Sequence, residues 1–321
     1  MRLGTRASRL ALAQAALVAE RLGAEHEVEV EVVPVTTSGD RGETQEDKSR
    51  WVKELELALL AGELDLAVHS AKDVPGELPE GLALLGAPER VDPRDALCGS
   101  GSLAELAFGA RVGTSSLRRC AQLRARREDL EVVALRGNVD TRLRKLREGD
   151  YAAIVLAHAG LARLGLGGEM GALLDLVPAP GQGTLVLEGR AEDERARAAA
   201  TAVSDPGVAA CLGAERALVR ELGASCHTPL GALAVEATED TLVLSAWAGL
   251  PDGSTWVGDE LRGRVDDPDA LGRELGRRLR VAGAEEILAQ AEALGARDGG
   301  APPAARPDGV PVAPGARATD A

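Results

Sequence analysis

The chain has 321 residues, 37 Lys and Arg against 51 Asp and Glu, and only 2% aromatic residues. Its formal net charge of −14 opposes broad attraction to duplex DNA, and one Phe, one Tyr and three Trp leave almost no platforms for stacking bases. At roughly 100–200 residues per domain the length predicts two or three domains, each with a core of Leu, Val and Ala.

Arg2, Arg6 and Arg9 precede the apolar run Leu10 to Ala19 and superficially resemble a secretory signal. Gln14 interrupts that run and Glu20-Arg21 follows it where small cleavage-site residues belong, so residues 8–22 read as an amphipathic helix. Val28 to Val35 alternates like a half-buried strand, Trp51 to Ala61 has helical periodicity, and Leu64 to Val68 reads as a short buried strand. A strand at 110–112, helix at 117–127, strand at 131–135, helix at 139–147 and strand at 152–157 follow. Such alternation predicts βαβ units and mainly parallel sheets.

Two turn-rich stretches, Pro88 to Pro93 and Pro178 to Gly183, read as crossings between two α/β lobes. Beyond Asp205-Pro206 a helix, three alternating segments (230–236, 241–248 and 255–262) and two closing helices over 268–294 predict a smaller α+β domain. The predicted division is therefore residues 1–88 with 184–202 as first lobe, 89–183 as second lobe, and 205–297 as C-terminal domain. Residues 298–321, rich in Pro, Gly, Ala and Asp, read as a disordered tail. No stretch approaches the roughly 18 apolar residues of a membrane span. Cys98, Cys120, Cys211 and Cys226 lie far apart without a C-x-x-C pair, which fits a reducing cytoplasm and neither a zinc knuckle nor a disulfide framework.

The sequence contains no P-loop, no H-E-x-x-H and no G-x-S-x-G, and the glycine cluster at 165–168 lacks the full dinucleotide fingerprint. Charge distribution is more informative: Arg111 to Arg147 holds eleven Arg or Lys against four acidic residues, a balance of 11 − 4 = +7. Scattered charges of that kind more often mark solvated helix faces, but their placement here is not scattered. Gly113-Thr114-Ser115-Ser116-Leu117-Arg118-Arg119 follows a strand and opens a helix, the setting of a carboxylate or phosphate cradle. Arg136-Gly137-Asn138 ends the next strand similarly, with Arg142 on the following helical turn. His69-Ser70-Ala71-Lys72-Asp73 follows the buried strand of the first lobe, where Ser70 and Lys72 suit an anion and Asp73 opposes one. A salt bridge from Asp73 to a neighbouring Arg and a role with a cation or proton are equally compatible with the spacing. His69 and His158 read as structural imidazoles.

TRASRLALAQ (5–14), VKELELALL (52–60), AVHSAKDVP (67–75), GTSSLRR (113–119), LRGNVDTRL (135–143) and PGQG (180–183) together resemble the porphobilinogen deaminase (hydroxymethylbilane synthase) family, in order and spacing from about residue 2 to residue 295. The resemblance implies two periplasmic-binding-protein-like α/β lobes with a double crossover plus a C-terminal α+β domain. It implies a monomeric cytoplasmic enzyme of tetrapyrrole and haem biosynthesis that condenses four porphobilinogens head to tail, releases ammonia, and hydrolyses the product to 1-hydroxymethylbilane. Its cofactor is a dipyrromethane, carried through a thioether on the cysteine matched by Cys226; the other three cysteines match no such position.

By the same resemblance Asp73 is the catalytic aspartate, steadying the azafulvenium left when ammonia departs. Arg6, Ser8, Ser70, Lys72, Thr114, Ser116, Arg118, Arg119, Arg136 and Arg142 match cofactor-binding positions. Arg6, Ser8, Arg136, Arg142 and Arg163 match substrate-binding positions, since each porphobilinogen brings an acetate and a propionate. No metal is implied, and neither nucleic acid nor membrane is a partner. The segment 41–51 is shorter than the usual loop and reads K-S-R-W where K-G-L-F is common; Lys48 aligns with a basic residue of that loop, Trp51 stands where Phe is frequent and reads equally as a lid over the cleft or a buried aromatic at a helix start, and His227 is incidental. A bilobal solute binder is the rival reading, but it has no use for Asp73 and Cys226 together.

Overall fold

The computed structural model describes residues 1–26, 29–37, 52–225 and 228–297. The shortened loop with Lys48 and Trp51, the expected tail, Cys226 and His227 lie outside the described residues. In chain order the first elements are β1 (Arg2–Arg6), α1 (Arg9–His26), β2 (Glu31–Val35), α2 (Lys53–Leu60), β3 (Leu66–Ser70) and β4 (Leu82–Arg90). Next come β5 (Asp95–Cys98), β6 (Arg111–Gly113), α3 (Leu117–Arg126), β7 (Glu131–Val133), α4 (Val139–Arg147), β8 (Ala153–Ala157), α5 (His158–Arg163) and β9 (Ala172–Leu174). The chain continues through β10 (Thr184–Arg190), α6 (Glu194–Ala202), α7 (Pro206–Glu221), β11 (Leu230–Thr238), β12 (Thr241–Gly249), β13 (Trp256–Arg264), α8 (Pro268–Val281) and α9 (Ala284–Arg297).

These strands form two five-stranded sheets, ordered β2-β1-β3-β10-β4 and β7-β6-β8-β5-β9, and a three-stranded sheet β11-β12-β13. The expected α/β lobes with a smaller α+β domain are what the chain builds. The sheets are mixed, however, and not simply parallel: β10 runs antiparallel to β3 and β4, and β5 runs antiparallel to β8 and β9. Each reversed strand is the first in its sheet after a crossing, so the double crossover itself creates the reversal. Neither strand alternates, because both faces are covered: β5 is buried throughout and β10 is buried from Thr184 to Gly189.

Helix α1 packs Ala15, Val18 and Leu22 against Leu3, Leu66, Leu185 and Leu187, which explains why its apolar positions recur every three or four residues. Leu55 and Leu59 of α2 cover Leu64 and Ala67 on another part of that lobe. In the second lobe Leu123 and Cys120 of α3 meet Leu97, Val112 and Val155. The third core joins Leu218 of α7 and Leu271, Leu275 and Leu279 of α8 to the inner face of β11 and β12.

The second crossing turns at Gly181, whose φ is +74. A Cβ at that position would lie 2.8 Å from Ala71 Cβ and 3.0 Å from Lys72 N, so the crossing presses directly on the turn Ala71–Asp73. Gly181→Ala is expected to cost about 1–3 kcal/mol through the left-handed backbone and the contact with that turn. Urea denaturation checks it; an unchanged midpoint would show that the crossing and the turn are not in contact.

Candidate functional site

The carboxyl ends of β1 and β3 place Arg6 and Ser70 at one rim of the first sheet, and the short turn Ala71–Asp73 carries Asp73 just beyond it. Arg6, Gln14, His69, Ser70 and Asp73 line a common concavity with Ala11, Val52 and Val68. Gln14 Nε2 donates to Ser70 Oγ at 2.9 Å, so the polar residue that broke the apolar run of α1 is turned into the site. Ser8 Oγ accepts from Ala11 N at 3.3 Å at the start of α1, and Lys72 Nζ donates to Gln182 Oε1 at 3.4 Å.

The second lobe presents the opposite rim. Ser116 caps α3 by accepting from Arg119 N, while Thr114 Oγ1 accepts from Ser116 N at 3.2 Å and fixes the turn that precedes the helix. Arg142 donates from Nε to Gly137 O at 2.7 Å, and Arg136 is exposed at the end of the neighbouring strand. Burial pushes the Arg142 guanidinium down to about 10, Arg119 adds to that displacement, and the Asp73 carboxylate opposes it. The charge of the first lobe's acid is thus felt at this arginine of the second lobe.

Asp95, at 0% exposure, was not singled out by the sequence. Its Oδ2 accepts from Arg118 Nη1 at 2.8 Å, and its Oδ1 accepts from Arg119 Nε at 3.0 Å and Nη2 at 2.7 Å and from Gln182 Nε2 at 2.8 Å. Burial raises the Asp95 carboxyl, but the charges and hydrogen bonds of Arg118 and Arg119 outweigh it and hold the group well below the usual carboxylate range. Two buried guanidiniums on one carboxylate leave one net positive charge behind Thr114 and Ser116. Arg118 also donates to Val177 O and Arg119 to Val155 O, which locks α3 against the second crossing and β8. An acid at the head of the short apolar run A-L-C was the available signal for Asp95.

Arg163 stands apart from this group. Its side chain is 4% exposed, and its Nη2 donates to Glu89 Oε1 at 3.1 Å and to Gly183 O at 2.8 Å where the two crossings run together. Arg21 of α1 reaches the other oxygen of Glu89 at 2.6 Å. The next residue, Arg90, donates to Glu215 Oε1 of α7 at 2.8 Å, so successive residues of β4 tie the crossings to the second lobe and to the C-terminal domain.

Chemically, the paired rims offer hydroxyls, guanidinium charge and one carboxylate inside a mixed α/β cleft. That donor set fits an organic ligand with several carboxylates, and a lone carboxylate such as Asp73 suits a positive charge on one. Among the described residues no group of three or more His, Cys, Asp or Glu is placed to hold a metal ion. Cys98, Cys120 and Cys211 are buried, and burial pushes each thiol up to about 11, which suits packing and not nucleophilic chemistry.

A family model described as porphobilinogen deaminase, dipyromethane cofactor binding domain, matches residues 1–198, and one described as porphobilinogen deaminase, C-terminal domain, matches residues 209–280. The porphobilinogen deaminase of Roseiflexus sp. (strain RS-1) is 47% identical over 298 residues, covering 89% of this chain and 98% of its own. That of Thermus thermophilus is 46% identical over 294 residues, covering 90% and 98%. That of Bordetella parapertussis is 49% identical over 302 residues, covering 90% and 95%. Among solved structures, a periplasmic substrate-binding protein of an ABC transporter from Coxiella burnetii shares 16% identity and a TM-score of 0.42 over 65% of this chain and 94% of that one.

Proposed function

The chain belongs to the porphobilinogen deaminase family, and from that premise we propose which of its residues perform the reaction. The enzyme is a transferase, hydroxymethylbilane synthase, which joins four porphobilinogens head to tail with loss of ammonia on a dipyrromethane cofactor and serves tetrapyrrole and haem biosynthesis. When bound, the cofactor supplies a nucleophilic pyrrole on which the product is built.

Asp73 is the catalytic carboxylate. Loss of ammonia from porphobilinogen leaves a cation, and Asp73 both stabilises that charge and holds the pyrrole N–H through its carboxylate oxygens. Arg142 and Arg136 of the second lobe bind acetate and propionate groups, with Arg6 and Ser8 of the first lobe completing the substrate contacts. Ser70, Lys72, Thr114, Ser116, Arg118 and Arg119, together with Arg6, Ser8, Arg136 and Arg142, hold the cofactor. The net positive charge left by Asp95 between Arg118 and Arg119 supports this role even though both guanidiniums are partly engaged. For Arg163, binding of a substrate carboxylate means exchange with Glu89. Cys226 carries the cofactor as a thioether, on the C-terminal domain 205–297; the lobes are residues 1–88 with 184–202, and 89–183. The protein acts as a cytoplasmic monomer without nucleic-acid or membrane partners; no described helix is long and apolar enough to cross a membrane.

The concavity that Asp73 shares with Arg6, Gln14 and Ser70 supports this assignment, because it sets an acid that can steady a cation beside a guanidinium suited to carboxylates. Intact-mass measurement tests the anchor. Purified protein is expected to exceed its sequence mass by two pyrrole units, an adduct that survives thiol reductants, and Cys226→Ser is expected to lack it. The same adduct on Cys226→Ser would place the cofactor elsewhere.

A further inference from the structure

Behind the wall of the Asp73 concavity lies a cluster of titratable groups that the reaction described above leaves unused. His69 lines that concavity from β3, and its Nε2 lies 3.0 Å from Glu188 Oε2 on β10. Glu188 is 0% exposed, and among the described residues neither of its carboxylate oxygens receives a hydrogen bond. Glu56 is also buried, on α2, which packs against β3 and β10, the strands that carry that pair. A fully desolvated carboxylate without a donor is costly unless a proton or a counter-charge is shared with it, and here an imidazole and a second carboxyl are both within electrostatic reach.

We propose that Glu56, His69 and Glu188 form a buried proton-holding group that serves the Asp73 concavity through His69. This rests on the reading of Asp73 given above. Each addition first breaks one C–N bond and releases ammonia, then forms one C–C bond and displaces one proton from the attacked pyrrole carbon, which passes on to solvent, so that the sum released is ammonium; no oxidant or reductant is involved. The trio holds that proton between bond formation and release, so Asp73 stays ionised beside the next cation. His69 is the side facing the concavity, Glu188 its partner, and the Glu56 carboxyl the resting place. Burial pushes Glu56 up to about 7, Glu188 raises it further, and His69 and Lys53 oppose the change, so it exchanges a proton near neutrality. The charged groups around it are Lys53 on its own helix, His69 on β3, Glu188 on β10 and, beyond Glu188, Arg216 of α7, which is itself pushed down by burial.

Infrared difference spectra of the full-length protein over a pH series, with Glu56→Gln beside the wild type, test the trio. The carbonyl band of a protonated buried carboxyl is expected to fade as pH rises through about 7 in the wild type and to be missing in Glu56→Gln. Turnover of porphobilinogen by Glu56→Gln is expected to fall about tenfold near pH 8 with KM unchanged, and to match the wild type near pH 6. A wild type without a titrating band overturns the proposal, as does a titrating band combined with an unaltered pH profile in Glu56→Gln. If that variant does not accumulate, Glu188→Gln is read by the same band and profile. Failure of Asp73 as the catalytic group would be seen in Asp73→Asn and leaves the infrared result untouched, so the two ideas fail separately.

Discussion

Asp73→Asn is expected to lower turnover of porphobilinogen by about three orders of magnitude, a magnitude typical of removing a charge aimed at a reacting centre. The substitution exchanges one oxygen for an amide and changes almost no volume, so secondary structure and the mass of the bound cofactor are expected to stay as in the wild type. The sign on binding is the opposite of that on rate. Arg142 loses a neighbouring anion that now competes for it, so carboxylate ligands are held at least as well, and the loss appears in kcat with KM level or lower. Steady-state kinetics with an intact-mass control measures both. Wild-type kcat in a variant that carries the cofactor would remove Asp73 from the chemistry.

Asp95→Asn is the stability counterpart. The amide retains one oxygen for Arg118 or Arg119, but the charge that pairs two buried guanidiniums is gone, and breaking such a buried pair from one side costs about 3–5 kcal/mol. Urea unfolding of the two proteins reads the difference; a gap below about 0.5 kcal/mol would mean that water already reaches both arginines. The pH dependence has a definite direction. Because the folded carboxyl lies below its ordinary value of 3.8, the stabilisation is complete above that value and is lost progressively as pH falls beneath it. Wild-type protein is therefore expected to weaken in acid with Asp95 among the causes, and Asp95→Asn to lack that share of the acid loss.

Much of the site can be read from the chain because its parts are local. Gly113 to Arg119 carries a strand end, the capping Ser116 and a basic helical turn within a few positions, and α3 forms there; Leu135 to Leu143 carries the start of the basic helix α4, although β7 already ends at Val133 and the Asn138 side chain makes no capping hydrogen bond. The three alternating segments of the C-terminal domain form β11, β12 and β13; burial alternates in the first part of β12 and the last part of β13, whereas β11 is largely buried at its start and exposed from Val235 to Thr238. Strands covered on both sides were not legible: β5 and β10 are apolar runs without a period, and their direction is fixed by the crossings and not by any local residue. Asp95, Glu89 and Glu188 were not singled out, and Gln14 was read only as a break in an apolar run, because a polar side chain of this kind acquires meaning only from its partner. Those partners stand 23 and 24, 74, 119 and 56 residues away. His69, read as a structural imidazole, lines the same concavity as Asp73 for that reason too.

The insertion of β10 between β3 and β4 also fixes an order of events during synthesis. The first sheet cannot close until residue 190 has emerged, because β3 and β4 touch only through that strand, whereas every strand of the second sheet lies between residues 95 and 174. On a ribosome extending the chain at about 5–20 residues per second, the inserted lobe therefore completes its sheet seconds ahead of the lobe whose synthesis began first. Until then β3 and β4 of the nascent chain each present an open edge, the kind of edge that pairs with another chain.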